Sequence, residues 1–484
     1  MTIQSTILKS FHRKSPGFWS KHFLPIGLPL LAGLGLASSL AVLIANEAWL
    51  LALPVVLLVP MALLIIKYPF SAIMIWMAVM PWFPFDGTYK YVYFTVHRLL
   101  IPLGLGIALL SRMLRVKEHR PVRPKLAELT MIAFGAMGII SIFVTGQHWK
   151  TTTLLHDRFL MPFTAYWLVR ASNARKQELR RLLPLMLLIC LAECVIGLVS
   201  WFAPEALPSI WHMRLFGDRV TGTFNGAGFF GWTLIFFIVF LYHEAMNREK
   251  GAAKTFLILT FGLGVVCLFF TFTRTVWGAG VFVLLGLLYL YRKTTVVLVI
   301  MMATIMLILS VSVLANEFAY AEERLNSKNT AEARVILSAA GKRMFLARPV
   351  FGWGYGNYDR YDWRFMAREG DITPTEWTIR KGTSHNTFLT ILAEMGAVGF
   401  LLLYFPVILW LGLTIKALPR LPKEGFWSRR MLIIMWLPII AQFVIAQTAD
   451  LRFAFYPLTL FWINLGFIAN MVQSRLEPDN GTAN

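Results

Sequence analysis

Solid apolar runs separated by short basic segments dominate this chain. The runs recur at about 18 to 23 residues, the length of a helix that crosses a hydrocarbon layer of roughly 30 Å. Nothing shows the period-two alternation of a membrane barrel. The pattern predicts helices over 24–45, 48–66, 69–83, 92–111, 126–144, 154–169, 182–203, 223–243, 255–271, 275–291, 294–315, 386–415, 431–449 and 454–472. The third and sixth of these are the weakest and read equally as re-entrant or interfacial segments. The fold class is therefore an all-α polytopic membrane protein with about 12–14 transmembrane helices and one large loop, about 316–384. Three regions follow: an N-terminal helix bundle over 1–315, the loop over 316–384, and three C-terminal spans with a short tail over 385–484.

The large loop is polar but patterned. From Phe318 to Ala347, Arg and Glu are interleaved with Leu, Ile and Met, which predicts amphipathic helix, continuous or broken. Pro349 ends that pattern. Then comes Gly352-Trp353-Gly354-Tyr355-Gly356-Asn357-Tyr358, where glycines at alternate positions exclude regular helix. Such a segment predicts a tight loop that lets backbone come close to a ligand or to another segment.

Charge decides orientation. With the N-terminus inside, the inner segments hold 27 Lys and Arg and the short outer segments hold 8. The rest lie in the large loop, which is too long for the positive-inside rule. The loop is thus expected on the outer side and the N-terminus in the cytoplasm. The basic N-terminal stretch (Lys9, Arg13, Lys14, Lys21) precedes an apolar segment without a convincing cleavage site, and reads as a retained first helix.

Composition agrees. Of 484 residues 57% are hydrophobic and 15% charged, where a soluble protein carries about a quarter charged. A net charge of +21 invites a nucleic-acid reading. The basic residues, however, sit in clusters between apolar runs, as topology signals do, so no nucleic-acid partner is expected. Cys190, Cys194 and Cys267 all lie within apolar helices with no metal or disulfide spacing, and read as small buried hydrophobes.

Candidate chemistry gathers at the outer helix ends. Thr383-Ser384-His385-Asn386-Thr387 joins the basic loop to the apolar run that starts at Phe388. Ser384 or Thr383 is expected to cap the helix there. The positive helix end disfavours imidazolium, so His385 is expected neutral and able to act as a general base. The same end favours a phosphate nearby. Arg219 precedes one membrane helix, Arg274 lies in a very short hairpin, and Arg334 lies in the large loop; Arg98 and Arg158 also sit at outer helix ends. Arginine suits bidentate phosphate binding and keeps its charge at any relevant pH. Glu394 lies nine residues beyond His385, about 13 Å along a helix and nearly half a turn round, so the two should not touch. Within a bilayer Glu394 and Glu193 each need a polar partner and read as structural.

No Gly-x-x-x-x-Gly-Lys loop supports nucleotide chemistry, and no carboxylate pair or histidine cluster suggests Mg, Mn or Zn. No metal and no cofactor is expected. An activated donor with a good leaving group fits these residues, and a membrane-bound lipid pyrophosphate stabilised by arginines is one.

At these residues the chain resembles the O-antigen ligase and O-antigen polymerase superfamily of bacterial inner-membrane glycan transferases. The resemblance is carried by Ser384-His385-Asn386-Thr387-Phe388-Leu389 running into Ala393-Glu394-Met395-Gly396-Ala397-Val398-Gly399. Upstream it rests on Arg334, on Ala347 to Tyr358, and on Thr271-Phe272-Thr273-Arg274. It implies transfer of a glycan from undecaprenyl pyrophosphate to an acceptor hydroxyl on the periplasmic face. His385 would be the base, and Arg219, Arg274 and Arg334 would bind the pyrophosphate. Family members often show Asn-Pro-Asn after the arginine corresponding to Arg219; here the run is Thr223-Phe224-Asn225-Gly226. The implied partners are the lipid-linked donor, a glycan or lipid A-core acceptor, and membrane lipids. A ligase acting on lipid A-core, a repeat-unit polymerase and a protein O-glycosyltransferase share this chemistry. A secondary transporter would instead place polar or broken helices at mid-membrane.

Overall fold

The computed structural model describes residues 60–83, 93–113, 126–146, 149–208, 211, 219–224, 226–312, 314–326, 329–375 and 384–476. The chain divides into two compact units, residues 1–68 and 69–484. In the first, residues 60–67 are helical, and the expected span 24–45 lies outside the described residues.

Every helix or strand element of the second unit is a helix among its described residues. In chain order it comprises α1 (Ser71–Val79), α2 (Ile101–Met113) after a π-helical turn (Tyr93–Leu100), and α3 (Leu126–Val144). Next come α4 (Trp149–Leu155), a second π-helical turn (His156–Leu160), α5 (Met161–Ala171), α6 (Lys176–Phe202), α7 (Ala227–Met246) and α8 (Ala252–Phe269). Then follow α9 (Arg274–Ser312), α10 (Ala315–Asn326), α11 (Asn329–Ala347), the single turn α12 (Tyr358–Tyr361), α13 (Thr387–Ala417), α14 (Arg429–Ala446) and α15 (Phe455–Leu476). Nine helices among the described residues are long and apolar enough to cross a membrane. The molecule is an all-α polytopic membrane protein.

Among the described residues the two weakest expected spans fall short: 69–83 forms only the short α1 with a 3-10 turn, and 154–169 is interrupted by the second π-helical turn. The expected pair 275–291 and 294–315 is a single run of 39 residues. A straight helix of that length would reach roughly 58 Å, about twice a hydrocarbon layer. It is divided at Tyr291, whose φ of −137° and ψ of 44° are not helical.

α7 and α15 are buried over nearly their whole apolar lengths, as expected of helices hydrophobic on every side. Polar side chains join α15 to its neighbours. Asn464 Nδ2 donates to Met435 O at 2.6 Å, and Asn470 Oδ1 accepts from Arg170 at 2.6 Å. Glu128, on α3, accepts from Arg170 Nε and from Tyr166 Oη. In an apolar surround such bonds fix helix register because an unpaired partner would be costly. The loop segment expected to be amphipathic helix forms two helices, α10 and α11, and Pro349 follows the second.

Candidate active site

The start of α13 is held on a neighbouring hairpin. Asn386 Nδ2 donates to Gln447 O at 3.1 Å, Thr387 Oγ1 donates to Ala449 O at 2.8 Å, and Leu451 N–H donates back to Thr387 Oγ1 at 2.9 Å. The helix cap is not the one expected. Asn386 caps α13 by accepting from Leu389 N–H at 3.1 Å. Ser384 is fully buried, and its hydroxyl accepts from Asn386 N–H and bonds Thr390 Oγ1 at 2.7 Å. Thr383 lies outside the described residues. The helix begins at Thr387, so an oxygen at Asn386 reaches the third helical amide and one at Ser384 is too far back.

His385 sits between these two anchors, half-buried, with φ of +49°. Few non-glycine residues enter this left-handed region, although histidine does so more readily than most. The conformation costs about 1–2 kcal/mol and persists because Ser384, Asn386 and Thr387 are each bonded. Strain of this kind concentrates at functional sites.

At its tenth residue α13 is broken. Gly396 has φ of +64° and ψ of −171°, which interrupts the helical ladder. The glycine-rich segment fills the gap. Trp353 N–H donates to Ala393 O at 2.9 Å, and Gly354 N–H donates to Glu394 O at 2.8 Å. In return, Ala397 N–H donates to Pro349 O at 2.8 Å and Val398 N–H to Val350 O at 3.2 Å. The alternating glycines thus permit approach to another backbone, one of the two uses expected of them. A Cβ on Gly352 would meet the Glu394 carbonyl and one on Gly396 would meet that of Val350.

Glu394 lies beside this break and its partner is Arg452. The guanidinium donates to Glu394 Oε2 at 2.5 Å and to both Asp450 oxygens, at 2.9 Å and 2.7 Å, with all three side chains buried. Glu394 Oε1 also accepts from Tyr358 N–H at 3.3 Å. The expected structural role of Glu394 is met, by a residue 58 positions away. Glu193 is likewise engaged, accepting from Thr223 N–H at 3.0 Å and from its hydroxyl at 2.5 Å.

Arg274 is the first residue of α9, at the positive end of a helix where anions are favoured. The preceding turn is tight. Phe272 has φ of +42°, an outlier for so bulky a residue. Its ring is buried and packs on Trp201 and Tyr320 at centroid distances of 5.3 Å and 4.8 Å. Packing therefore holds a strained turn that sets where Arg274 starts. Arg274 donates to Leu325 O at 3.2 Å, which brings the end of α10 over it. Arg334, on α11, is half-buried, and burial pulls its guanidinium pKa below the usual value. The charges of Arg274 and Arg324 pull it down further, and Arg324 precedes Leu325, whose carbonyl Arg274 holds. The structure thus brings Arg274 and Arg334 together and adds Arg324, which sequence reasoning missed. Arg219 belongs to a segment tied to the same hairpin: Val220 N–H donates to Phe270 O at 3.0 Å. Its Nε is buried without a hydrogen-bond partner.

α11 links the arginines to His385. A Cβ on Gly341 would lie 3.4 Å from that of Leu389 and 3.5 Å from that of Ser384. Arg334 lies seven residues earlier, roughly 10 Å along the helix and on nearly the same face. The other two outer arginines are occupied elsewhere. Arg98 forks onto Asp157 at 2.9 Å and 2.7 Å, and Arg158 stacks on Phe453 at 4.2 Å.

Residues 259–404 match the family model described as O-antigen ligase. Over that stretch the chain is similar to the O-antigen ligase superfamily. The matched stretch contains Arg274, Arg324, Arg334, the glycine-rich segment, His385 and Glu394, while Arg219 and Arg452 lie outside it. The match supports a glycosyltransferase of the ligase and polymerase type. No curated protein matches the chain.

Proposed function

We propose that the protein moves a glycan from undecaprenyl pyrophosphate to an acceptor hydroxyl, with lipid A-core as the acceptor. The site would face the periplasm of a bacterial inner membrane. The observation that carries this reading is the convergence of a held, strained His385 and an arginine cluster along one face of α11.

His385 accepts the proton of the acceptor hydroxyl as its oxygen attacks the anomeric carbon of the donor. The new carbon–oxygen bond forms as the bond from that carbon to the pyrophosphate breaks, and the lipid pyrophosphate leaves. Arg274 and Arg334 stabilise the charge that develops on the leaving oxygens, with Arg219 as a further contact. Guanidinium groups suit this task because they bind phosphate in a fork and do not give up a proton. The 27-to-8 distribution of Lys and Arg supports the periplasmic orientation. The family model supports the shared ligase and polymerase chemistry.

His385→Ala is expected to abolish transfer while expression and membrane insertion stay normal. Undiminished transfer by that variant would overturn the assignment. The glycan profile of a deletion strain separates the acceptors. Accumulated lipid-linked polymer with bare lipid A-core supports the ligase, whereas single repeats capping the core would identify a polymerase.

A further inference from the structure

Arg324 stands in the last turn of α10. The helix is docked onto the hairpin that carries Arg274. Phe318 packs on Phe269 at 4.9 Å, Tyr320 packs on Phe272 at 4.8 Å, and Leu325 O accepts from Arg274 at 3.2 Å. Arg324 therefore projects from the turn that touches Arg274, and its buried Nε has no hydrogen-bond partner. Glu322 and Glu323 on α10 and Glu332 on α11 are exposed, and the half-buried Glu317 lies seven residues, roughly 10 Å, back along α10.

Two facts about this arrangement need a common explanation. Three guanidinium groups come together in a partly buried place, where like charges repel more strongly than in water. A buried donor is also left unsatisfied, which folded proteins avoid unless a ligand or water supplies the partner. An anion with two adjacent charges and several acceptor oxygens answers both.

We propose that Arg324 is a third arm of a diphosphate-binding site, closing over the donor's pyrophosphate from α10 while Arg274 and Arg334 hold it from below. This rests on the proposed function and deepens it by adding a substrate-binding residue. α10 would then act as the element that covers the leaving group.

The test uses the full-length protein purified in detergent, with inorganic pyrophosphate, inorganic phosphate and phosphatidylglycerol bicelles as separate probes read by calorimetric titration. Wild type should bind pyrophosphate more tightly than phosphate. Arg324→Gln should weaken pyrophosphate binding by about tenfold to a hundredfold, the loss expected for one charge-assisted hydrogen bond, with Arg324→Lys in between. Lys342→Gln, the same loss of charge at an exposed position of α11, should leave binding unchanged. Unaltered pyrophosphate binding by Arg324→Gln, or equal weakening by Lys342→Gln, overturns the proposal. Preference of the wild-type site for phosphatidylglycerol also overturns it, and identifies a lipid headgroup contact. Loss of transfer in His385→Ala beside unchanged pyrophosphate binding in Arg324→Gln would sink this inference alone. Pyrophosphate binding that needs Arg324, in a protein without transfer activity, would sink the proposed function instead.

Discussion

Replacing Arg452 by methionine should destabilise the protein far more than replacing Glu394 by glutamine, although the two side chains share one ion pair. The guanidinium is 3% exposed and serves two carboxylates, each 2% exposed. Arg452→Met removes the guanidinium that Asp450 and Glu394 share. Breaking a buried pair from one side costs about 3–5 kcal/mol, and here two acids lose it. Glu394→Gln leaves the Arg452–Asp450 pair intact and keeps an acceptor oxygen where Glu394 Oε2 was. Its cost is the difference between a charge-assisted and a neutral hydrogen bond, about 1 kcal/mol, plus about 1 kcal/mol for the Tyr358 N–H bond that the amide nitrogen cannot accept. Unfolding in detergent and dodecyl sulfate mixtures, followed by tryptophan fluorescence, measures both. The double variant should recover part of the loss caused by Arg452→Met, because the acids that lose the guanidinium fall from two to one. Transfer should fall with Arg452→Met as well, since the triad joins the break in α13 to the hairpin that anchors Asn386 and Thr387. Equal destabilisation by the two single variants, or an Arg452→Met protein as stable as wild type, would refute this account.

Arg274→Ala should lose more transfer activity than Arg274→Lys, which keeps the charge and loses the fork; an assay in which both match wild type would argue against phosphate binding there. Gly396→Ala should lower expression and thermal stability by several kcal/mol, because a Cβ would run into Val350 O at a φ of +64° that alanine rarely adopts; wild-type melting would refute the backbone pairing. Burial pushes the Asp362 carboxyl up to about 6. A raised carboxyl pKa means that the folded state favours the proton, so this contribution to stability is present below about pH 4 and is lost as pH rises through about 6. Asp362→Asn should therefore raise the melting temperature at pH 8 and gain less at pH 5, and a pH-independent difference would refute the assignment.

Much of the candidate site was legible because membrane sequences punish stray charge. Arg274 drew notice as a cation in a very short hairpin, and His385 as a lone imidazole at the edge of an apolar run. Arg324 gave no such signal, because a surface loop rich in arginine offers many equivalent positions. Asp450 and Arg452 did carry one: opposite charges two residues apart in a short turn between apolar helices mark a structural ion pair. Their third member, Glu394, is far away in sequence, and no local pattern joins it to them.

Hydropathy alone determined the fold class, because each membrane helix satisfies its own backbone and needs only length and apolar character. That is why the runs at 126–144 and 386–415 reappear nearly unchanged as α3 and α13. The break at Tyr291 falls at the end of the expected helix 275–291, whereas the break at Gly396 falls inside uninterrupted helix-forming pattern and needed the tertiary structure to be seen. At Gly396 the reason is physical: a helix can open there only because another backbone, Pro349 to Gly354, supplies the hydrogen bonds it gives up. The meeting of the arginines was likewise decided by packing, since hairpin, α10 and α11 must dock before their charges share one place.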